Sequence, residues 1–203
     1  MIQNYIFDFG NVLTRFDIME LTAAAVKDET LLEEISEVVF DRLYWDRLDA
    51  GTISDEEVKE AIRSRLSPEK AELACQAFDG WIDNLPPIPG MPELVAELKR
   101  KGAKLYLLSN ISESFAKGYS RVPWIKELFG QFDGLVFSGL LGLTKPGKEI
   151  FEHLLDKFSL PKDTCLFIDD SRINIEGAAE VGIKGYLFDG DVEKLRKYLE
   201  TIV

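Results

Sequence analysis

Residues 3–11 read Gln3-Asn4-Tyr5-Ile6-Phe7-Asp8-Phe9-Gly10-Asn11, a short apolar run that ends in a carboxylate and a glycine-containing turn. The same pattern returns twice. Tyr106-Leu107-Leu108 runs into Ser109-Asn110, and Leu166-Phe167-Ile168 runs into Asp169-Asp170. Short unbroken apolar runs of this kind predict strands buried on both faces, as in a parallel sheet covered by helices. Ligands of such sheets bind in the crevice beyond the carboxyl ends of the strands. An aspartate, a hydroxyl with an amide, and an acidic pair, far apart in sequence, are therefore expected to meet in one cleft.

Beyond the first turn the pattern becomes helical. Ser54-Asp55-Glu56-Glu57 reads as a capping box, and Ser67-Pro68-Glu69-Lys70 as a helix start with proline in its first turn. Leu31, Leu32, Ile35, Val38, Val39 and Leu43 repeat at helical spacing. Leu85-Pro86-Pro87-Ile88-Pro89-Gly90 then stops any helix. From there helices and strands alternate. Helices are expected at 92–100, from Ser112, and at 148–158, 174–181 and 192–202, and strands at 104–108, 134–137, 164–168 and 186–188. Such alternation predicts parallel strands with right-handed crossovers. The expected fold is α/β. A Rossmann-like parallel-sheet core in three layers (α/β/α) is formed by residues 1–14 and 87–203, and a helical cap, 15–86, is inserted after the first strand.

Composition narrows the partners. The 203 residues are 46% hydrophobic and 30% charged, as in globular domains, with a formal net charge of −12. No nucleic acid and no anionic membrane surface suits that charge. No apolar stretch approaches the ~20 residues of a membrane span. Met1-Ile2-Gln3-Asn4 shows no basic region leading into an apolar segment, so a cytoplasmic protein, monomeric or weakly dimeric, is expected. Cys75 and Cys165 read as small buried hydrophobes. The single histidine, His153, lies in an amphipathic pattern and is expected on a helix surface; Ser-His-Asp hydrolysis and multi-histidine zinc sites do not fit.

The strand ends suggest one chemistry. A carboxylate such as Asp8 is a nucleophile that forms acyl-phosphates, although alone it reads equally as a turn or cap residue. Ser109 and Asn110, with backbone N–H groups at a helix start, suit a phosphate oxygen, and also suit helix capping. Lys145, in Gly142-Leu143-Thr144-Lys145-Pro146-Gly147, would neutralise phosphate charge, or would simply be a solvated lysine. Asp169 and Asp170 beside Asp8 would repel one another unless a cation compensates, and Mg²⁺ takes such oxygen ligands. The same pair also suits a helix cap. Asn174 either holds this loop by hydrogen bonds or begins the helix.

Taken together, Tyr-Ile-Phe-Asp8-Phe-Gly-Asn-Val-Leu, Leu-Leu-Ser109-Asn110, Lys145-Pro146 and Phe-Ile-Asp169-Asp170-Ser-Arg-Ile-Asn174-Ile-Glu-Gly-Ala resemble the four motifs of the haloacid dehalogenase-like (HAD) hydrolases. Within that superfamily they look like the branch of glucose-1-phosphate phosphatases and soluble epoxide hydrolase phosphatase domains. The resemblance implies a Mg²⁺-dependent phosphatase acting on a small phosphorylated metabolite. Asp8 would form an aspartyl-phosphate. Asp8, the Gly10 carbonyl, Asp169 and Asp170 would hold Mg²⁺, Ser109 and Asn110 would bind phosphoryl oxygens, and Lys145 would balance charge. Asn11 and Asn174 would support the loops. In the cap, Tyr44, Trp45, Asp49 and Gly51 are candidates for substrate choice, and Tyr44 and Trp45 also suit simple packing.

One position departs from the family. Most phosphatases of the superfamily carry an acid–base aspartate two residues after the nucleophile, where this chain has Gly10. Its absence implies a preference for leaving groups that are weak bases, such as anomeric sugar phosphates (a hexose 1-phosphate) or acyl-phosphates. Asp17 and Asp170 are candidates for a substitute acid. A metal-free 2-haloacid dehalogenase and a non-catalytic binding protein on the same fold are the alternatives. A receiver domain, which is shorter, carries its acidic pair after the first strand.

Overall fold

Alternation along the strands splits the protein into two apolar layers. In the computed structural model, which describes residues 2–202, β1 (Asn4–Phe7) sends Tyr5 and Phe7 to one side and Ile6 to the other. It is the centre of a parallel sheet with β2 (Lys104–Ser109), β3 (Gly134–Phe137), β4 (Cys165–Asp169) and β5 (Lys184–Leu187), ordered β3-β2-β1-β4-β5. Phe7 lies opposite Leu107 on one side and Ile168 on the other. The next residue, Asp8, therefore leaves the sheet between the ends of β2 and β4.

Five helices follow β1 before the chain returns: α1 (Ile18–Ala23), α2 (Glu29–Val39), α3 (Arg42–Asp49), α4 (Asp55–Arg65) and α5 (Pro68–Gly80). The remaining helices are α6 (Met91–Arg100), α7 (Glu113–Gly118), α8 (Pro123–Phe129), α9 (Lys148–Phe158), α10 (Arg172–Glu180) and α11 (Val192–Glu200). Helices α6, α7, α8 and α11 share a core with Tyr5, Phe7, Leu107 and Ile168, while α9 and α10 cover Ile6, Leu108 and Phe167. This is the expected three-layer α/β architecture, with helices on both faces of a doubly wound sheet.

Local chemistry sets the helix starts. Asp17 accepts from the Met19 and Glu20 backbone N–H groups and opens α1. Ser54 and Glu57 form the capping box of α4, and Pro68 lies in the first turn of α5. The helical run expected to reach Leu43 instead ends at Val39, because the Asp41 carboxylate accepts from Leu43 N–H and starts α3. Leu43 is then 65% exposed rather than part of the packed stripe. The helix opening at Ser112 is short, and α8 is a separate element, since proline is tolerated only in a first helical turn. His153 is half-buried rather than on the helix surface, and its Nε2 is enclosed without a protein partner.

Two features join the inserted helices to the sheet. Phe115 of α7 lies 4.9 Å from Phe9 and 5.7 Å from Trp81, ring centre to ring centre, and so links α7, the turn after β1 and the end of the insert. At the end of α3, the Ser138 hydroxyl donates to the Asp49 carbonyl at 2.5 Å. Just beyond, Gly51 has φ +65°, and a Cβ there would lie 2.4 Å from the Gly139 carbonyl oxygen. Only glycine permits that conformation and approach together. Phe115 is fully buried, and Phe115→Ala is expected to lower unfolding stability by about 3–5 kcal/mol in urea titration, the usual cost of emptying a buried aromatic site.

Candidate active site

The strand register delivers the carboxylates. Asp8 N–H donates to the Ile168 carbonyl at 2.9 Å, which fixes the Asp8 backbone beside β4. Asp8 Oδ1 accepts from Phe9 N–H at 2.7 Å. Lys145 Nζ lies 2.8 Å from Asp8 Oδ1 and 2.7 Å from Asp169 Oδ2, with its side chain 1% exposed and 5.3 Å above the Phe167 ring. Asp169 is wholly buried and closely held: its oxygens also accept from Ser171 N–H at 2.8 Å and from Asn174 Nδ2 at 3.1 Å to each. Asn174 therefore holds the loop, and it does so from inside α10.

The lysine is placed by its own loop. Asn110 Nδ2 donates to the Lys145 carbonyl at 2.9 Å, and Asn110 Oδ1 accepts from Lys145 N–H at 2.8 Å. The side chain expected to meet phosphoryl oxygens thus spends its carbonyl and one amide hydrogen on positioning Lys145. Gly177 of α10 lets the helix approach this loop, since a Cβ there would stand 2.3 Å from the Pro146 carbonyl oxygen.

These groups border a cleft of about 770 Å³. Asp8, Gly10, Asn11, Ser109, Asn110, Lys145, Asp170 and Asn174 line its sheet side. Asn11 Oδ1 accepts from Phe16 N–H at 3.0 Å, which ties down the turn after β1. From the insert come Trp45 and Asp49, as expected, together with Arg42, Asp46, Phe40 and Trp81, which the sequence reading did not single out. Arg42, Asp46 and Asp49 recur at helical spacing in α3, a signal available from the sequence. Tyr44 and Gly51 do not border the cleft. Tyr44 sits under the Arg65 guanidinium at 5.8 Å, and Gly51 packs on Gly139. Asp17 is exposed and committed to capping α1, which removes it as a substitute acid.

One carboxylate oxygen from each of Asp8, Asp169 and Asp170 lies within 4.8 Å of the others. Among the described residues, the Lys145 ammonium is the one cation paired with these acids, bonding Asp8 and Asp169. Burial, opposed by Lys145 and reinforced by the Asp169 charge, pushes the Asp8 carboxyl up to about 7. Burial and the Asp169 charge also raise Asp170. The two carboxylates drive Lys145 upward against its burial. An all-oxygen donor set with excess negative charge fits a hard divalent cation such as Mg²⁺.

A family profile for haloacid dehalogenase-like hydrolases matches residues 2–182. The chain belongs to this family. Among its relatives, a D-ribitol-5-phosphate phosphatase of Bacteroides thetaiotaomicron is 29% identical over 92% of this chain and 91% of its own length. The sesquiterpene phosphatase astK of Aspergillus oryzae is 27% identical over 89% and 86%. A HAD family enzyme of Bacteroides thetaiotaomicron, solved with magnesium and inorganic phosphate, shares the fold at TM-score 0.67 and 24% identity, over 96% of this chain and 99% of the other. An L-2-haloacid dehalogenase of Xanthobacter autotrophicus shares it at TM-score 0.67 and 20% identity, over 91% and 76%. HAD hydrolases named for phosphatase activity thus align along nearly the whole chain, and the fold alone is common to dehalogenases.

The raised Asp8 carboxyl has a consequence for the metal-free protein. Its folded state binds the proton more tightly than the unfolded chain, so its contribution is complete below 3.8 and is lost as pH rises through about 7. In EDTA, the melting temperature of Asp8→Asn minus that of the parent is expected to be more positive at pH 7 than at pH 4, on top of a fixed cost for taking one partner from Lys145. Equal shifts at both values would contradict the assignment.

Proposed function

We propose that the protein is a Mg²⁺-dependent phosphatase of small phosphorylated metabolites, working through an aspartyl-phosphate on Asp8. The observation that carries this reading is the buried Lys145 ammonium held between Asp8 and Asp169, beside Asp170 and Ser109, at the carboxyl edge of the sheet. Asp8 attacks phosphorus as the nucleophile. Lys145 steadies negative charge on the phosphoryl group, and its position depends on Asn110. Ser109 and the remaining amide hydrogen of Asn110 meet phosphoryl oxygens. Asp8, Asp170, Asp169 and the Gly10 carbonyl would hold Mg²⁺, which when bound neutralises the phosphate and the acids around it. Asn174 fixes Asp169, and Asn11 fixes the turn after β1.

The substrate moiety faces α3. Arg42 and Asp46 offer hydrogen bonds to hydroxyl groups, while Trp45 and Phe40 offer flat apolar surface, a pairing that suits a sugar or polyol phosphate. The relative that acts on D-ribitol 5-phosphate supports that class. A second reading, the phosphate of an apolar alcohol, draws on the aromatic wall of Phe16, Phe40, Trp45 and Trp81 and on the sesquiterpene phosphatase relative.

p-Nitrophenyl phosphate should be hydrolysed with Mg²⁺, stop being hydrolysed in EDTA, and lose roughly 10⁶-fold in rate in Asp8→Asn, the scale expected for removing a nucleophile. Chloride release from 2-chloropropionate, indifferent to EDTA, would instead establish carbon attack by Asp8. A panel of sugar 1-phosphates, polyol phosphates and prenyl phosphates separates the two substrate classes.

A further inference from the structure

Gly10 leaves a gap in the chemistry that the cleft must fill. Breaking a phosphate ester releases an alkoxide, and a positioned acid is needed to protonate it. A Cβ built on Gly10 meets no atom within 4 Å, so the space beside Asp8 is open. Asp49 borders the same cleft from the opposite wall, at the last turn of α3.

Its placement is unusually firm for a residue of the insert. The Asp49 backbone carbonyl accepts from the Ser138 hydroxyl at 2.5 Å. Ser138 Oγ in turn accepts from Ile111 N–H at 2.8 Å, two residues past Ser109. The Gly51–Gly139 approach closes the same junction. The backbone of Asp49 is thereby tied to the loop that follows β2, and its side chain is left free of any hydrogen bond within the protein's described contacts.

We infer that Asp49, supplied by the insert and tied to the sheet through Ser138, is the general acid and base that replaces the side chain missing at Gly10. This inference rests on the phosphatase reading. In the first step an Asp8 oxygen bonds to phosphorus, the bond from phosphorus to the leaving oxygen breaks, and that oxygen takes the Asp49 proton. In the second step the Asp49 carboxylate takes a proton from water as the water oxygen bonds to phosphorus. The bond from phosphorus to Asp8 then breaks, releasing inorganic phosphate and restoring both carboxyl groups.

The electrostatic setting agrees. Burial pushes the Asp49 carboxyl up to about 7, with Asp46 and Asp8 adding to the rise and Arg42 and Lys145 opposing it. A group poised there gives up a proton in one step and recovers it in the next near neutral pH. The restriction to weak-base leaving groups, expected from Gly10 alone, is then relaxed.

The test compares 2,4-dinitrophenyl phosphate, whose leaving group needs no proton, with glycerol 3-phosphate, whose leaving group does. Asp49→Asn keeps the size of the side chain and the backbone carbonyl that Ser138 binds. It should lower kcat/KM for glycerol 3-phosphate by about 10²- to 10⁴-fold, and for 2,4-dinitrophenyl phosphate by at least tenfold less. The fall of kcat/KM for glycerol 3-phosphate above about pH 7 should vanish with it, and Gly10→Asp in the Asp49→Asn background should restore part of the rate. Equal losses on both substrates, or none on either, would overturn the role of Asp49 while the phosphatase reading stands. Failure of the parent protein to hydrolyse either ester with Mg²⁺ would overturn both.

Discussion

The pairing of one buried ammonium with two carboxylates governs the rest of the molecule. Lys145 is 1% exposed on its side chain and touches Asp8 and Asp169 at once. Burying a charge is costly without partners, and removing one partner of such a set is costlier than forming it. The surrounding structure serves that arrangement. The sheet register brings Asp8 against β4, Asn110 holds the lysine backbone, Asn174 and the Ser171 N–H donate to Asp169, and Gly177 lets α10 close behind the loop. Elements far apart in sequence are needed together, which explains how a cleft built from strand ends stays ordered.

That arrangement also accounts for the excess negative charge. The cluster counts three acids, close enough together for a single ion to span, and one lysine paired with two of them. A protein needing only a stable interior would do better with apolar residues at these positions. The retained charge is chemistry in waiting, and it sits where doubly wound sheets take their ligands.

Much of this was legible in the chain. The apolar runs before Asp8, Ser109 and Asp169 located β1, β2 and β4, because strands buried on both faces leave no polar alternation to confuse the pattern. The capping box at Ser54 marked a helix start through local hydrogen bonds, and the proline at 68 marked another through its fixed φ. What escaped was set by tertiary contacts. Leu43 matched the apolar spacing yet lies on the exposed side of α3, because the Asp41 cap breaks the run. Asn110 read as an anion ligand or helix cap, and its further hold on the Lys145 backbone, 35 residues away, had no local sign in the sequence. Tyr44 and Gly51 are near Trp45 and Asp49 in sequence, but helix phase turns Tyr44 away from the cleft and the turn after α3 packs Gly51 on Gly139.

The contact of Gly51 with Gly139 limits how this protein changes over time. Two backbones meet there with no room for a methyl group, and the Gly139 side of the junction is as tight, its own Cβ position lying 2.6 Å from Glu113 N and 2.8 Å from the Ile111 carbonyl oxygen. The end of α3 is therefore not free to drift when neighbouring residues mutate. New chemical tastes must arise by exchanging the side chains at 42 and 46 on a fixed perch, so divergence among descendants should be concentrated in what those positions carry rather than in where they stand.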